Sequence, residues 1–315
     1  VRVTLVYGFL GAGKTTFLRR LIPSFLKLGR TAVLVNEFGH ENIDGTVLRS
    51  TDLQVRELTG GCICCEVRGD LIAALAQIGR EVRPDRLVIE PTGLAAPQML
   101  GHILAMPTIR EVAKVDSVVT VVDATRYGVA RQAFGDFYVE QIRMADVLLI
   151  NKADVATAEE TETARDAART LNPDAALAVT TRAAMDPDIV LAAIATDRTE
   201  STLDEPTRTH GEQEELSTLG LEHATIRPPE LTRAQLDSWL NALAHGDFGD
   251  IVRAKGFARL DNTTALVDVV MGAVEVRSFN PVPARIEIIG RNLDPRSMEK
   301  HLANGSTNIP SPTLS

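Results

Sequence analysis

Apolar residues along this chain follow two periods. Short apolar runs, rich in β-branched residues and bounded by turn residues, predict buried strands at 1–6, 31–35, 55–58, 86–90, 116–123, 146–150 and 176–180. Between them apolar residues recur at helical spacing. Thr16 onward carries Phe17, Leu18, Leu21, Ile22 and Phe25, with Pro23 as an expected kink and Gly29 as the stop. Further helices are expected from about 66 to 78 and from 157 to about 171, the latter with acids first and arginines later. Strands alternating with helices predict an α/β fold, a doubly wound and mostly parallel sheet. Residues 201–219 are polar without periodicity and read as a linker. Beyond it the pattern changes to clustered strands at 223–226, 251–260, 264–270, 273–279 and 285–289. Among them, Thr232-x-x-Gln235 is a capping box for a helix carrying Leu236, Trp239, Leu240 and Leu243, and Pro295 opens a closing helix. The expected division is therefore 1–200, a linker at 201–219, a smaller α+β domain at 220–302, and a disordered tail at 303–315.

The first strand runs into Gly8-Phe9-Leu10-Gly11-Ala12-Gly13-Lys14-Thr15, which fits the phosphate-binding pattern G-x-x-x-x-G-K-[ST], and Thr16 continues into a helix. Glycines let successive backbone N–H groups face one anion, and the helix adds its positive end. Lys14 would reach the β- and γ-phosphates, and the Thr15 hydroxyl would hold Mg²⁺.

Other candidate chemistry lies at the ends of later strands, where open α/β sheets bind ligands. Asn36-Glu37-Phe38-Gly39 follows the second strand, and Glu37 is either a metal-directed acid or a solvated loop carboxylate. Glu90-Pro91-Thr92-Gly93 gives the Walker B arrangement of a strand-end acid for Mg²⁺, with Gly93 able to offer its N–H to a γ-phosphate. Asp123 closes another strand, open to a structural or a nucleotide role. Asn151-Lys152-Ala153-Asp154 is an N-K-x-D set on the same edge. Asp154 can accept two hydrogen bonds from guanine, the Lys152 stem can cover the base plane, and Asn151 can brace the loop. Thr180-Thr181 is a candidate for the remaining base-side loop.

Composition narrows the partners. With 315 residues one large and one smaller domain are expected. The formal net charge of −9, without a long Lys/Arg run, disfavours nucleic acid and anionic membranes. No apolar run approaches a membrane span and no signal peptide opens the chain; because it begins at Val1 rather than Met, a natural start upstream is expected. The only cysteines are Cys62, Cys64 and Cys65. Three thiols in four residues form no disulfide framework and suggest a reducing cytoplasm with a soft-metal or redox site. Thiolates so spaced can converge on one ion, with a helix N-terminus behind them, yet buried structural cysteines are common too.

The P-loop, Asn-Glu-Phe-Gly, Gly-Gly-Cys-Ile-Cys-Cys, Glu-Pro-Thr-Gly and Asn-Lys-Ala-Asp occur here in one order. Together they resemble the CobW-like family of metal-handling GTPases. The resemblance extends to Arg253-Ala-Lys-Gly-Phe257 and Arg285-Ile-Glu-Ile-Ile-Gly-Arg-Asn-Leu293 in the second half. It implies GTP hydrolysis and delivery of Zn²⁺ or Co²⁺ to a client protein. It also implies Cys62, Cys64 and Cys65 as metal ligands and Glu37 and Glu90 as acids near Mg²⁺ and metal. Related GTPases dimerise around nucleotide, so a homodimer is expected. Two departures stand out. The family commonly reads Glu-x-Gly-Ile-Asp where this chain reads His40-Glu41-Asn42-Ile43-Asp44, and its histidine-rich linker is reduced here to His210. The reading is a GTPase metallochaperone in which Lys14, Glu37 and Glu90 carry the hydrolytic site. The nucleotide contacts are Gly8, Gly11, Ala12, Gly13, Lys14, Thr15, Thr16, Glu90, Gly93, Asn151, Lys152 and Asp154. The alternatives are a P-loop small-molecule kinase and a thiol redox-sensing nucleotide-binding module.

Overall fold

A computed structural model describes residues 1–35, 55–57, 66–91, 97–195, 219–260 and 263–304. The chain divides into two compact units, Val1–Glu215 and Leu216–Ser315. Most of the segment expected as a linker, and the tail beyond 304, lie outside the described residues.

In the first unit the described strands form a seven-stranded sheet. They are β1 (Arg2–Gly8), β2 (Thr31–Val35), β3 (Val55–Glu57), β4 (Arg86–Glu90), β5 (Lys114–Asp123), β6 (Val147–Asn151) and β7 (Ala176–Val179), in the order β3-β2-β4-β1-β5-β6-β7. Every neighbouring pair is parallel. A parallel sheet needs cover on both faces, and alternate residues of the same strands supply it. One core joins Val6, Val88, Val119 and Val121 to Phe17, Leu18, Leu21, Ile22 and Phe25 of α1 (Lys14–Leu28) and Val190 of α7 (Pro187–Ala195). The other joins Leu5, Tyr7, Leu87 and Ile89 to Leu75 of α2 (Glu66–Gln77), Leu100 and Ile103 of α3 (Pro97–Ala105) and Ile109 of α4 (Pro107–Arg110). Helix α1 continues past Pro23, and its five core side chains each contribute roughly 1.5–3 kcal/mol of burial. Helix α5 (Tyr127–Arg143) follows a single 3₁₀ turn at Ala124–Arg126, and α6 (Ala158–Leu171) starts at a full capping box between Thr157 and Glu160.

The second unit is α+β, as the strand clustering predicts. Strands β8 (Glu222–Ile226), β9 (Asp250–Leu260), β10 (Thr263–Val270), β11 (Ala273–Phe279) and β12 (Arg285–Arg291) form an antiparallel sheet in the order β11-β10-β9-β12-β8. One face packs Ala254, Ala258, Val267, Ile286 and Ile288 against Leu236, Trp239, Leu240 and Leu243 of α8 (Arg233–His245) and Met298 of α9 (Pro295–Asn304). The Thr232/Gln235 capping box forms as the sequence predicts, and Gly246 ends α8 in the left-handed conformation. The strand period places charge on the opposite face. Glu287 lies across from Lys255, and Lys255 from Asp268. The Glu287 carboxylate accepts bonds from His223 Nε2 at 2.6 Å, Thr225 Oγ1 at 2.7 Å and the Arg285 guanidinium. No described helix is long and apolar enough to cross a membrane.

Candidate functional site

The strands of a parallel sheet all end on one edge, so the loops that follow them meet there. The ends of β1, β4, β5 and β6 carry the phosphate-binding loop, Glu90, Asp123 and Asn151. The loop from Gly8 into α1 turns on left-handed glycines. Gly13 has φ 108°, and a Cβ there would lie 2.5 Å from Asn151 Nδ2; at Gly8, φ 148°, a Cβ would lie 2.5 Å from the Val121 carbonyl oxygen. Both positions therefore exclude a side chain on strain and on space. Gly11 is also left-handed, with φ 70°.

Lys14, the first residue of α1, is buried, and its Nζ donates to the Gly8 carbonyl at 2.9 Å. The same Nζ lies 4.0 Å from Glu90 Oε1. Thr15 Oγ1 approaches that Glu90 oxygen at 3.5 Å. A lysine, a hydroxyl and a carboxylate buried to 2% exposure thus converge at the mouth of the loop. The Thr15 hydroxyl and the Glu90 carboxylate are hard oxygen donors of the kind Mg²⁺ takes. Thr16 sits half-buried in the first turn of α1.

Asn151 joins this loop to the segment after β7. Its Nδ2 donates to the Ala12 carbonyl at 2.8 Å, and its Oδ1 accepts from the Ala183 N–H at 2.7 Å and the Thr180 hydroxyl at 3.2 Å. The segment after β7 turns back through two left-handed residues, Arg182 (φ 50°) and Ala183 (φ 52°), and the Ala153 N–H donates to the Thr180 carbonyl at 3.1 Å. Thr180 therefore lies against the N-K-x-D turn, where the sequence places the remaining base-side loop. Asp154 is exposed at the end of that turn.

Lys152 itself has φ 66°, and its Nζ pairs with Asp123 Oδ2 at 2.8 Å. Sequence reasoning left the role of Asp123 open; its signal is position, an acid closing the strand next to the one that delivers Asn151. It missed the packing behind the phosphate loop. The Phe9 ring lies 4.6 Å from Phe134 and 5.8 Å from Tyr138 between centroids, so α5 supports the loop from behind. Burial, and next the Asp123 carboxylate, push the Tyr138 phenol far above its ordinary range, so it stays protonated.

Glu37, His40, Cys62, Cys64, Cys65 and Gly93 lie outside the described residues. Among the described residues no group of three or more His, Cys, Asp or Glu side chains is placed to hold a metal ion.

Residues 2–179 match the family model for the CobW/HypB/UreG nucleotide-binding domain, and 224–305 match the cobalamin synthesis protein cobW C-terminal domain. Over 194 residues the chain is 35% identical to a protein named zinc chaperone CobW from Sinorhizobium sp, covering 53% of this chain and 54% of the relative. It is 28% identical over 212 residues to zinc-regulated GTPase metalloprotein activator 1 of Dictyostelium discoideum, covering 56% of this chain and 44% of that protein. The chain spans about half the length of the curated relatives it matches. The crystal structure of the Zn(II)-bound YjiA GTPase from E. coli is 21% identical, covering 98% of this chain and 99% of that one, with a TM-score of 0.45. A phosphate-binding loop braced by the N-K-x-D asparagine, and a family match over more than half of its length, make this chain a member of the CobW/HypB/UreG family, with a CobW C-terminal domain following the nucleotide-binding domain.

Proposed function

We propose that the chain is a GTP-hydrolysing metallochaperone that takes a thiophilic divalent ion, zinc in the first place, and passes it to a client protein. The observation that carries the nucleotide half is the Asn151 side chain. It ties the phosphate loop to Ala183 and Thr180, so one rigid edge presents both a phosphate cradle and the turn ending in Asp154. Asp154 would accept from guanine N1–H and N2–H₂, a donor pair that adenine lacks. The backbone N–H groups of 8–15 and the Lys14 ammonium would hold the phosphates, with Gly93 a further donor to the γ-phosphate. Thr15 and Glu90 would hold Mg²⁺, which when bound neutralises charge on the β- and γ-oxygens. Glu37 would be a further acid for Mg²⁺ or the transported metal.

For the metal half, Cys62, Cys64 and Cys65 would supply thiolates to the transported ion, and Glu37 or His40 could complete the shell. The names of the relatives favour zinc; cobalt suits the same donors. A run of three cysteines in four residues suits the reducing cytoplasm. A client metalloprotein is the partner, and the chain would act as a homodimer.

The test of the reading is selectivity. GTP should bind well above ATP, and Asp154→Asn should lose guanine preference and gain xanthine, whose C2 oxygen accepts from the new amide. Loss of that contact should weaken GTP by roughly 2–4 kcal/mol, since a charged acceptor is removed and its partners are left unpaired. Equal affinities for GTP and ATP in the parent would overturn it. For the metal, Cys64→Ala should abolish the sulfur-to-metal charge-transfer band of the cobalt-substituted protein while leaving GTP binding intact. Stoichiometric tight zinc binding by that variant would place the site elsewhere.

A further inference from the structure

We propose that Asp123 is a positioning residue for guanine-nucleotide recognition, acting by holding the Lys152 ammonium and so ordering its stem at the base-binding turn; this rests on reading Asn151-Lys152-x-Asp154 as the guanine site. Asp123 ends β5 directly across from Asn151 of β6. Its two carboxylate oxygens have different tasks. Oδ1 accepts from the Thr125 N–H at 3.0 Å and the Thr125 hydroxyl at 2.7 Å, which locks the carboxylate plane against the turn that leads into α5. Oδ2 meets Lys152 Nζ at 2.8 Å. Asp123 is only 3% exposed, whereas the Lys152 side chain keeps 24% of its surface open.

A buried carboxylate needs its counter-ion, so the ammonium is held on the protein side of the pair. The Lys152 backbone is left-handed, a conformation costly for a residue with a Cβ. It is held there by the Val155 and Ala156 N–H groups on the Lys152 carbonyl. With backbone and ammonium both fixed, the four-carbon stem between them has few conformations left. A free lysine gives up about 2 kcal/mol of rotamer freedom when it is ordered. Here Asp123 orders the stem during folding, so a planar base finds its apolar cover already in place, and that preorganisation raises affinity for the base alone.

The test is titration of the full chain with GDP, ADP and inorganic pyrophosphate, using the parent, Asp123→Asn, Lys152→Met and the double variant. Asparagine keeps an acceptor for Thr125 and removes only the charge facing Lys152. Asp123→Asn should weaken GDP roughly tenfold, about 1.4 kcal/mol, and leave pyrophosphate within about twofold. In the Lys152→Met background it should add nothing. Thr125→Val, which removes the hydroxyl bond to Oδ1 but keeps the backbone one and leaves the charge untouched, should weaken GDP less and likewise spare pyrophosphate; it carries the test if Asp123→Asn does not fold. Equal losses for GDP and pyrophosphate, single effects that multiply in the double variant, or unchanged GDP affinity would overturn the assignment. A parent that binds GDP and ADP equally would instead remove the guanine reading itself.

Discussion

Asn151 shows how much one side chain can carry. Its amide satisfies the Ala12 carbonyl, the Ala183 N–H and the Thr180 hydroxyl, and all four residues are buried. Asn151→Ala strands all three groups, and each buried polar group left unmade costs about 1–3 kcal/mol. We expect a loss of about 3 kcal/mol in urea denaturation; a loss below about 1 kcal/mol would mean that water replaces the amide. Gly13→Ala should abolish nucleotide binding, because the left-handed backbone and the 2.5 Å approach to Asn151 Nδ2 leave no room for a Cβ. Retained GDP affinity in that variant would show that the loop rearranges to admit it. The motif residues were legible from spacing alone, since G-x-x-x-x-G-K-[ST] and N-K-x-D fix residue types at short range. Their partners were not. Asn151 reaches a carbonyl 139 residues away, and Lys152 reaches the end of a neighbouring strand, so both contacts depend on strand order.

Elements were legible where apolar runs were short and uninterrupted. The pattern marked every described strand within a few residues; in the first unit buried parallel strands leave continuous Val, Ile and Leu runs, and in the second the antiparallel strands β8–β12 are set apart by turn residues. It did not mark α3, α4, α5 or α7. In α5 the apolar residues Ala130, Phe134, Tyr138 and Ile142 do recur at helical spacing, but Gly128 and Gly135 interrupt the sequence signal. Gly135 is itself non-helical (φ 49°, ψ −126°), so two helical segments meet there. The caps give a direct check. Thr157→Ala and Thr232→Ala should each lower stability by about 1 kcal/mol, as loss of an N-cap oxygen does. The second unit also has a pH signature. Burial raises the Glu287 pKa, but bonds from His223 and Thr225 and the charges of His223 and Arg285 outweigh it, holding the carboxyl below its ordinary 4.5. A depressed folded pKa gives stability that is present above the unfolded value and is lost as pH falls through the folded one. Trp239, the single tryptophan, is fully buried in this unit, so its fluorescence reports unfolding here. The stability advantage of the parent over Glu287→Gln should shrink as pH falls below 4.5. A difference that stays constant down to pH 3 would contradict the assignment.

Beyond residue 200 the alternating strands and helices give way to clustered strands, and the structure divides into two compact units. What the molecule does with them depends on linkage between nucleotide and metal. Glu37 and Gly93 follow β2 and β4 in the sequence, and segments that contact a γ-phosphate change order when that phosphate is lost. If the metal shell is complete in only one nucleotide state, the affinities for zinc and for GTP over GDP must change by the same factor. The most direct measurement is the zinc affinity of the reduced full chain with GDP and with a non-hydrolysable GTP analogue. A GTP-driven metallochaperone predicts affinities that differ by roughly 5- to 150-fold, tighter with the GTP analogue. Identical zinc affinities in the two states would leave two independent sites and contradict nucleotide-driven transfer.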